Sequence, residues 1–191
     1  MFDNLRADFE AAQADRKLET GFWRVLLHIE APALVCYRFS HWALNFRVPV
    51  LRQVFIVCSL VFQRVVQMSL GIFISPDAQI GPGLVIHSPY GIYVGPVKVG
   101  PYCTLQGGVV LASGIREIGE NVYFGSGAKV IGEVKIGNNV VVAANSLVIT
   151  DIKDNTTVFG VPARIRLPGG RPKRFAWKTI KPETKAESAS Q

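Results

Sequence analysis

Stepping by six from Ile74 gives Ile80, Ile86 and Ile92; after one extra residue come Val99, Leu105 and Leu111; after another come Ile118, Phe124, Val130, Ile136, Val142 and Val148. All thirteen are apolar. With about one residue in two apolar, chance would give that run roughly once in 10⁴ trials before allowance for the two shifts. A period of six with short β-branched stretches predicts a parallel β-helix with three flat faces per coil, each inward side chain stacking on its equivalent one coil away. Thirteen faces predict roughly four coils over residues 74 to about 154. Neighbouring strands ~4.8 Å apart give a prism ~20 Å tall, with ends that need caps. Gly81, Gly100, Gly119, Gly125 and Gly137 each follow an inward position, where the expectation is a corner needing unusual dihedrals.

Upstream the period changes. Leu51, Val54, Phe55, Cys58, Val61, Phe62 and Val65 recur at three and four, while Arg52, Gln53, Gln63, Arg64 and Gln67 take other positions, which predicts an amphipathic helix over 50–66. Its expected role is to pack on the first coil or on a neighbouring subunit, with a membrane surface as the alternative. Residues 3–17 and 22–45 also read as helical, with Pro32 disturbing the second. Gly160-Val161-Pro162-Ala163 marks a turn after the repeat. The expected organisation is a helical region over 1–70, the β-helix over 71–166 and a basic tail over 167–191.

The chain has 191 residues, 49% hydrophobic and 18% charged, which predicts a globular protein. No window offers ~18 uninterrupted apolar residues, because Arg52 and Arg64 bracket Val54 to Phe62. The amino terminus lacks the layout of a signal peptide, so the expected location is the cytoplasm. Net charge is +7, concentrated in the last thirty residues from Arg164 to Lys185; the tail is read as solvated, with phosphate groups or lipid as alternative partners. No aromatic-interleaved basic motif points to nucleic acid. Cys36, Cys58 and Cys103 lack metal-site spacing and are expected as buried thiols, and no metal is expected.

Only three histidines are present: His28, His41 and His87. His87 follows an inward isoleucine, so it leaves the core, and it opens the corner Ser88-Pro89-Tyr90-Gly91. An ordinary imidazole, with a pKa near 6.5, accepts a proton at neutral pH, which suits a general base. His28 and His41 lie in the helical lead-in and are expected to be structural.

Three further segments carry a resemblance: Gly160-Val161-Pro162-Ala163-Arg164 after the repeat, Gly127-Ala128-Lys129-Val130-Ile131-Gly132 within it, and Tyr37-Arg38 with His41-Trp42 before it. Over about residues 36–166 the chain resembles bacterial serine acetyltransferases. The resemblance implies a left-handed coil, a homotrimer or multiple of trimers, and acetyl-CoA lying as co-substrate between adjacent prisms, with Ala112, Ser126, Gly127, Ala144 and Arg164 along that groove. It implies direct transfer of acetyl to a hydroxyl. His87 and Ser88 are the catalytic candidates, and Tyr90, Gly91 and Arg116 the acceptor-binding ones. Backbone amides near Gly107 and Gly108 are candidate oxyanion donors, and Glu117 and Glu120 candidate carboxylates for orienting His87.

Two departures bear on the acceptor. The family's adjacent Asp-His pair corresponds here to His87 and Ser88, and its long excursion carrying an Arg-His pair is replaced by Ala112-Ser113-Gly114-Ile115-Arg116-Glu117. Shortened relatives of this kind are associated with exopolysaccharide pathways, so a saccharide hydroxyl competes with L-serine, and peripheral contact with the inner membrane is compatible with it. The altered pair also leaves a second class open, a non-catalytic trimeric β-helix scaffold. A β-helical carbonic anhydrase needs three histidines at zinc, and the repeat has one.

Overall fold

The computed structural model describes residues 2–16, 31–44, 46 and 48–165. Helices α1 (Phe2–Arg16), α2 (Ala31–Leu44) and α3 (Pro49–Leu70) precede fifteen short strands. Thirteen of these are β1 (Phe73–Ile74), β2 (Gln79–Ile80), β3 (Val85–Ile86), β4 (Tyr93–Val94), β5 (Lys98–Val99), β6 (Thr104–Leu105), β7 (Val110–Leu111), β8 (Glu117–Ile118), β9 (Tyr123–Phe124), β10 (Lys129–Val130), β11 (Lys135–Ile136), β12 (Val141–Val142) and β13 (Leu147–Val148). β14 (Thr157–Phe159) and β15 (Arg164–Ile165) complete the regular structure of the described residues. They form three sheets: A, in the order β1-β4-β7-β10-β13; B, β2-β5-β8-β11; and C, β3-β6-β9-β12-β14-β15. Every third strand pairs in parallel, which is the signature of a three-faced β-helix. His28 and the basic tail over 167–191 lie outside the described residues.

Twelve of the thirteen predicted inward residues occupy the second position of a strand and are buried. Ile92 is the exception: it is buried, but Val94 is the residue that pairs with Ile74 in sheet A. The repeat also runs further than expected. Ile152 bridges to Ile136 and β14 pairs with β12, adding a nearly complete fifth coil. The core is one continuous column from Ala33 to Val158, with Phe124 its largest fully buried side chain.

The five corner glycines are required for a reason other than dihedral freedom. None of them has positive φ. A Cβ at Gly81 would lie 2.7 Å from the nitrogen of Pro101, one at Gly100 2.6 Å from Gly119 carbon, and one at Gly125 2.5 Å from Ala144 nitrogen. Successive coils thus approach too closely for any side chain at this point. Left-handed backbone falls two residues later, and at the corner from sheet B to sheet C it is held by Tyr102, Asn121, Asn139 and Asn155. The asparagines there form a ladder, Asn121 Nδ2 donating to Asn139 Oδ1 at 2.8 Å and Asn139 Nδ2 to Asn155 Oδ1 at 3.2 Å. Asparagine tolerates this conformation, and its amide bonds to the next rung.

A coil at the end of a solenoid carries backbone groups with no neighbouring coil to pair them. Here the helices supply the partners. Tyr37 Oη donates to Ala78 O (2.8 Å) and accepts from Ile80 N–H (3.1 Å). Arg38 donates to the carbonyls of Ile80 and Gly81, both at 2.7 Å, and forms a two-pronged pair with Asp8 at 2.9 and 3.0 Å. Asp8 in turn accepts from Leu84 N–H at 2.9 Å. Burial pushes the Asp8 carboxyl above its usual range, and Arg38 pulls against it. His41 Nδ1 lies 3.0 Å from Pro76 O, which is the structural use expected of it. Pro32 sits in the first turn of α2, where a missing N–H costs nothing; the part of the expected 22–45 helix before Ala31 lies outside the described residues.

α3 departs from expectation more sharply. Its apolar residues Leu51, Val54, Val61, Phe62 and Val65 are exposed, and of the whole helix only Ser59 and Val66 are buried. It is also a 22-residue helix long and apolar enough to cross a membrane.

Candidate active site

The corner from sheet C to sheet A, repeated in every coil, forms one long edge of the prism. His87 opens it directly after β3, half-buried, its backbone N–H donating to Leu105 O at 2.9 Å. Ser88 is exposed with φ 50°, a left-handed conformation that costs a non-glycine residue about 1–2 kcal/mol. Tyr90 N–H closes the turn onto Ser88 O at 2.7 Å, and Tyr90 O accepts from Gly108 N–H at 2.7 Å. Gly91, with φ 67°, then returns the chain to sheet A. A Cβ at Gly107 would lie 2.6 Å from Ser88 O, so the next coil fits against this corner only with glycine there. The Gly108 N–H is committed to Tyr90 and is not an oxyanion donor in this conformation.

The residue after the paired Leu105 is Gln106, so Gln106 stands beside His87 on the adjacent coil. Sequence reasoning passed over it, although counting three faces on from His87 reaches it. Further along the edge come Gly125-Ser126-Gly127 and Ala143-Ala144-Asn145, with Gly127 and Asn145 in left-handed backbone. The strip is lined with small residues, and Ser126 and Ala144 are exposed. At its end the turn through Gly160 and Ala163 is fastened to Leu147 by hydrogen bonds of 3.0 and 2.7 Å, and exposed Arg164 follows on β15, opposite Phe159. His87, Ser88, Tyr90, Gly91, Ser126, Gly127, Ala144 and Arg164 therefore share one edge.

Ala112 and Arg116 do not. They belong to the corner between sheets A and B, on the other side of sheet A. Arg116 Nη2 meets both carboxylate oxygens of Asp151 at 2.6 and 2.5 Å, and its Nε donates to Glu133 O at 3.1 Å. The Asp151 carboxylate also accepts from Lys135 N–H at 2.8 Å, standing in for a strand where the last coil is two residues short. The Arg116 hydrogen bond, with that of Lys135 N–H, holds Asp151 below the usual carboxylate range. Nor do the two proposed orienting carboxylates reach His87 within one chain. Glu117 projects from sheet B between Lys98 (3.2 Å) and Lys135 (3.3 Å), whose hydrogen bonds lower its pKa, and Glu120 lies at the corner between sheets B and C. Burial raises the Cys103 thiol to about 12, so this inner cysteine is inert at neutral pH. Cys36 is also buried, but Cys58 is exposed, against the expectation for all three.

The model of the bacterial transferase hexapeptide family, six repeats, matches residues 117–150. The chain is 33% identical over 174 residues to the serine acetyltransferase of Synechococcus elongatus, covering 86% of this chain and 68% of that protein. It is 35% identical over 151 residues to the serine acetyltransferase of Helicobacter pylori strain J99, covering 74% of this chain and 84% of the relative. A solved serine acetyltransferase in complex with CoA superposes with a TM-score of 0.71 at 26% identity, over 86% of this chain and 68% of that one. Sequence relatives and superposition agree with the parallel strands, the helical lead-in and the left-handed coil, and the chain belongs to the serine acetyltransferase family of hexapeptide-repeat acyltransferases.

Proposed function

We propose that the protein is an acetyl-CoA-dependent O-acetyltransferase working along the edge between sheets C and A. The observation that carries this reading is the shared edge itself: a histidine at one end, a strip of glycine, alanine and serine, and a cation, Arg164, at the other. An elongated thioester donor fits such a strip, with its phosphates toward Arg164 and its acyl group toward His87. His87 accepts the proton of the acceptor hydroxyl as the oxygen attacks the thioester carbonyl carbon. The tetrahedral oxyanion collapses, the carbon–sulfur bond breaks, and the imidazolium returns the proton to the departing thiolate. Gly107 N–H is the oxyanion donor we propose, and Ser88 and Tyr90 flank the acceptor.

The separation of Ala112 and Arg116 from that edge supports a homotrimer, in which the groove lies between prisms and a neighbouring chain supplies the corner between sheets A and B. L-serine is the acceptor that family membership favours. A saccharide hydroxyl is the second reading, because Arg116, the residue offered for amino-acid recognition, is already occupied by Asp151. We place the reaction in the cytoplasm, with the protein peripheral to the inner membrane.

The test is thiol release from acetyl-CoA with L-serine and with a panel of sugars and nucleotide sugars, alongside His87→Ala and Ser88→Ala. Turnover with one acceptor, reduced about 10²–10⁴-fold by His87→Ala while acetyl-CoA still binds, is the expected result. Neither binding nor turnover of acetyl-CoA would leave a trimeric scaffold in its place.

A further inference from the structure

Helix α3 has a mixed inner face and a largely apolar outer one. Ser59 and Val66 are buried, Gln63 Nε2 donates to Ile74 O at 2.9 Å, and Phe55 packs against Phe39, Trp42 and Phe46 with centroids 5.2–6.2 Å apart. At about 100° per residue, the opposite face is Val50, Val54, Val57, Val61, Val65 and Met68. Exposure there reaches 71% at Val50, 62% at Val61 and 88% at Met68. Leu51, Leu60 and Phe62 widen this exposed surface on both flanks, so the apolar arc covers roughly 200° of the helix, interrupted by Gln53, Arg64 and Ser69.

The width of the arc decides between occupants. A second helix covers the narrow seam of a heptad stripe and would leave Leu51 and Leu60 in water. Fluid acyl chains cover an arc of any width. Charge points the same way: α3 contains Arg52 and Arg64 and no acidic residue, on a chain of net charge +7. Although long enough to span a bilayer, α3 is fastened along its inner face to α2 and β1, which keeps it parallel to the protein surface. We propose that α3 is a docking face for an anionic lipid bilayer, lying in the interface plane with its outer valines among the acyl chains and Arg64 reaching the headgroups. The helix ends at Gly71, where an added Cβ would sit 3.3 Å from the nitrogen of Gly91, so the docked helix abuts the His87–Gly91 corner. An acceptor tethered to lipid then meets the corner from the surface on which the enzyme sits.

The test uses the full chain and vesicles of phosphatidylcholine with or without phosphatidylglycerol. Cys58, exposed on α3 while Cys36 and Cys103 are buried, accepts an environment-sensitive fluorophore. Flotation with the anionic vesicles and a blue shift at Cys58 are expected. The double variant Val57→Glu/Val61→Glu is expected to lower the vesicle-bound fraction at least about tenfold, with unchanged far-UV circular dichroism and unchanged oligomeric mass. Absence of both flotation and a blue shift in the parent protein would overturn the proposal. So would flotation undiminished in the variant, or a fall in its oligomeric mass, which would make a second copy the occupant. Should the double variant fail to fold, the Cys58 signal of the parent protein decides alone.

Discussion

The prism and its helical cap are held by opposite strategies. In the prism, each strand residue meets one sixteen to twenty places away, and stability is a sum of similar apolar contacts and ladder hydrogen bonds. In the cap, a few polar side chains reach across long separations, as Asp8 does to Leu84 and Arg38 to Gly81, and each contact has no duplicate. Losing a repeated contact costs that side chain's own burial and leaves the coils on either side paired. Losing a unique polar contact also strands its partner in a buried setting.

The largest loss that sharpens this contrast is expected from Phe124→Ala, which empties the fullest layer of the column; roughly 4 kcal/mol should be read from chemical denaturation. Asp8→Ala comes next at roughly 3 kcal/mol, since Arg38 keeps its two carbonyls but loses its counter-charge. The double variant Asp8→Leu/Arg38→Met should recover part of that loss, and a double variant no more stable than the single one would mean that charge pairing is not what holds the cap. Gly125→Ala should cost about 1–3 kcal/mol, as the coils part to admit one methyl group. The smallest effect belongs to acid. Asp151 and Glu117 have folded pKa values below their unfolded ones, so their contribution is complete above about pH 5 and disappears as pH falls through the folded values. Asp151 is exposed and Glu117 only half-buried between two solvated lysines, so the thermal midpoint should shift only slightly, and less in high salt.

The repeat was legible because burial imposes it at every sixth residue, yet one strand was assigned to the wrong residue. The His87 corner is two residues longer than a regular one, and the Gly95-Pro96 corner that follows is one shorter, so the spacing from Ile86 to Val99 fits a path through Ile92 as well as one through Val94. The fifth coil escaped because the step from Val148 to Ile152 is four places where six is regular, with Asp151 replacing a lost ladder hydrogen bond. Counting coils from His87 reaches Gln106, Gly125 and Ala143, and would have separated Ala112 and Arg116 from this edge. Asp8 gave no sequence signal: nothing in the pattern of α1 sets it apart from Asp3, Glu10 and Asp15 or foretells a partner thirty residues away.

β15 turns back antiparallel on β14, with Val158 opposite Ile165 and Phe159 opposite Arg164. A stack of identical parallel rungs resembles a one-dimensional crystal, and an open crystal face adds further units. Were both terminal rungs bare, the top of one molecule would match the bottom of the next, and head-to-tail growth would give fibres with no natural limit. The reversed strand spoils the match at one end and the helices cover the other. This chain therefore keeps the regularity of a filament and remains a molecule of fixed size.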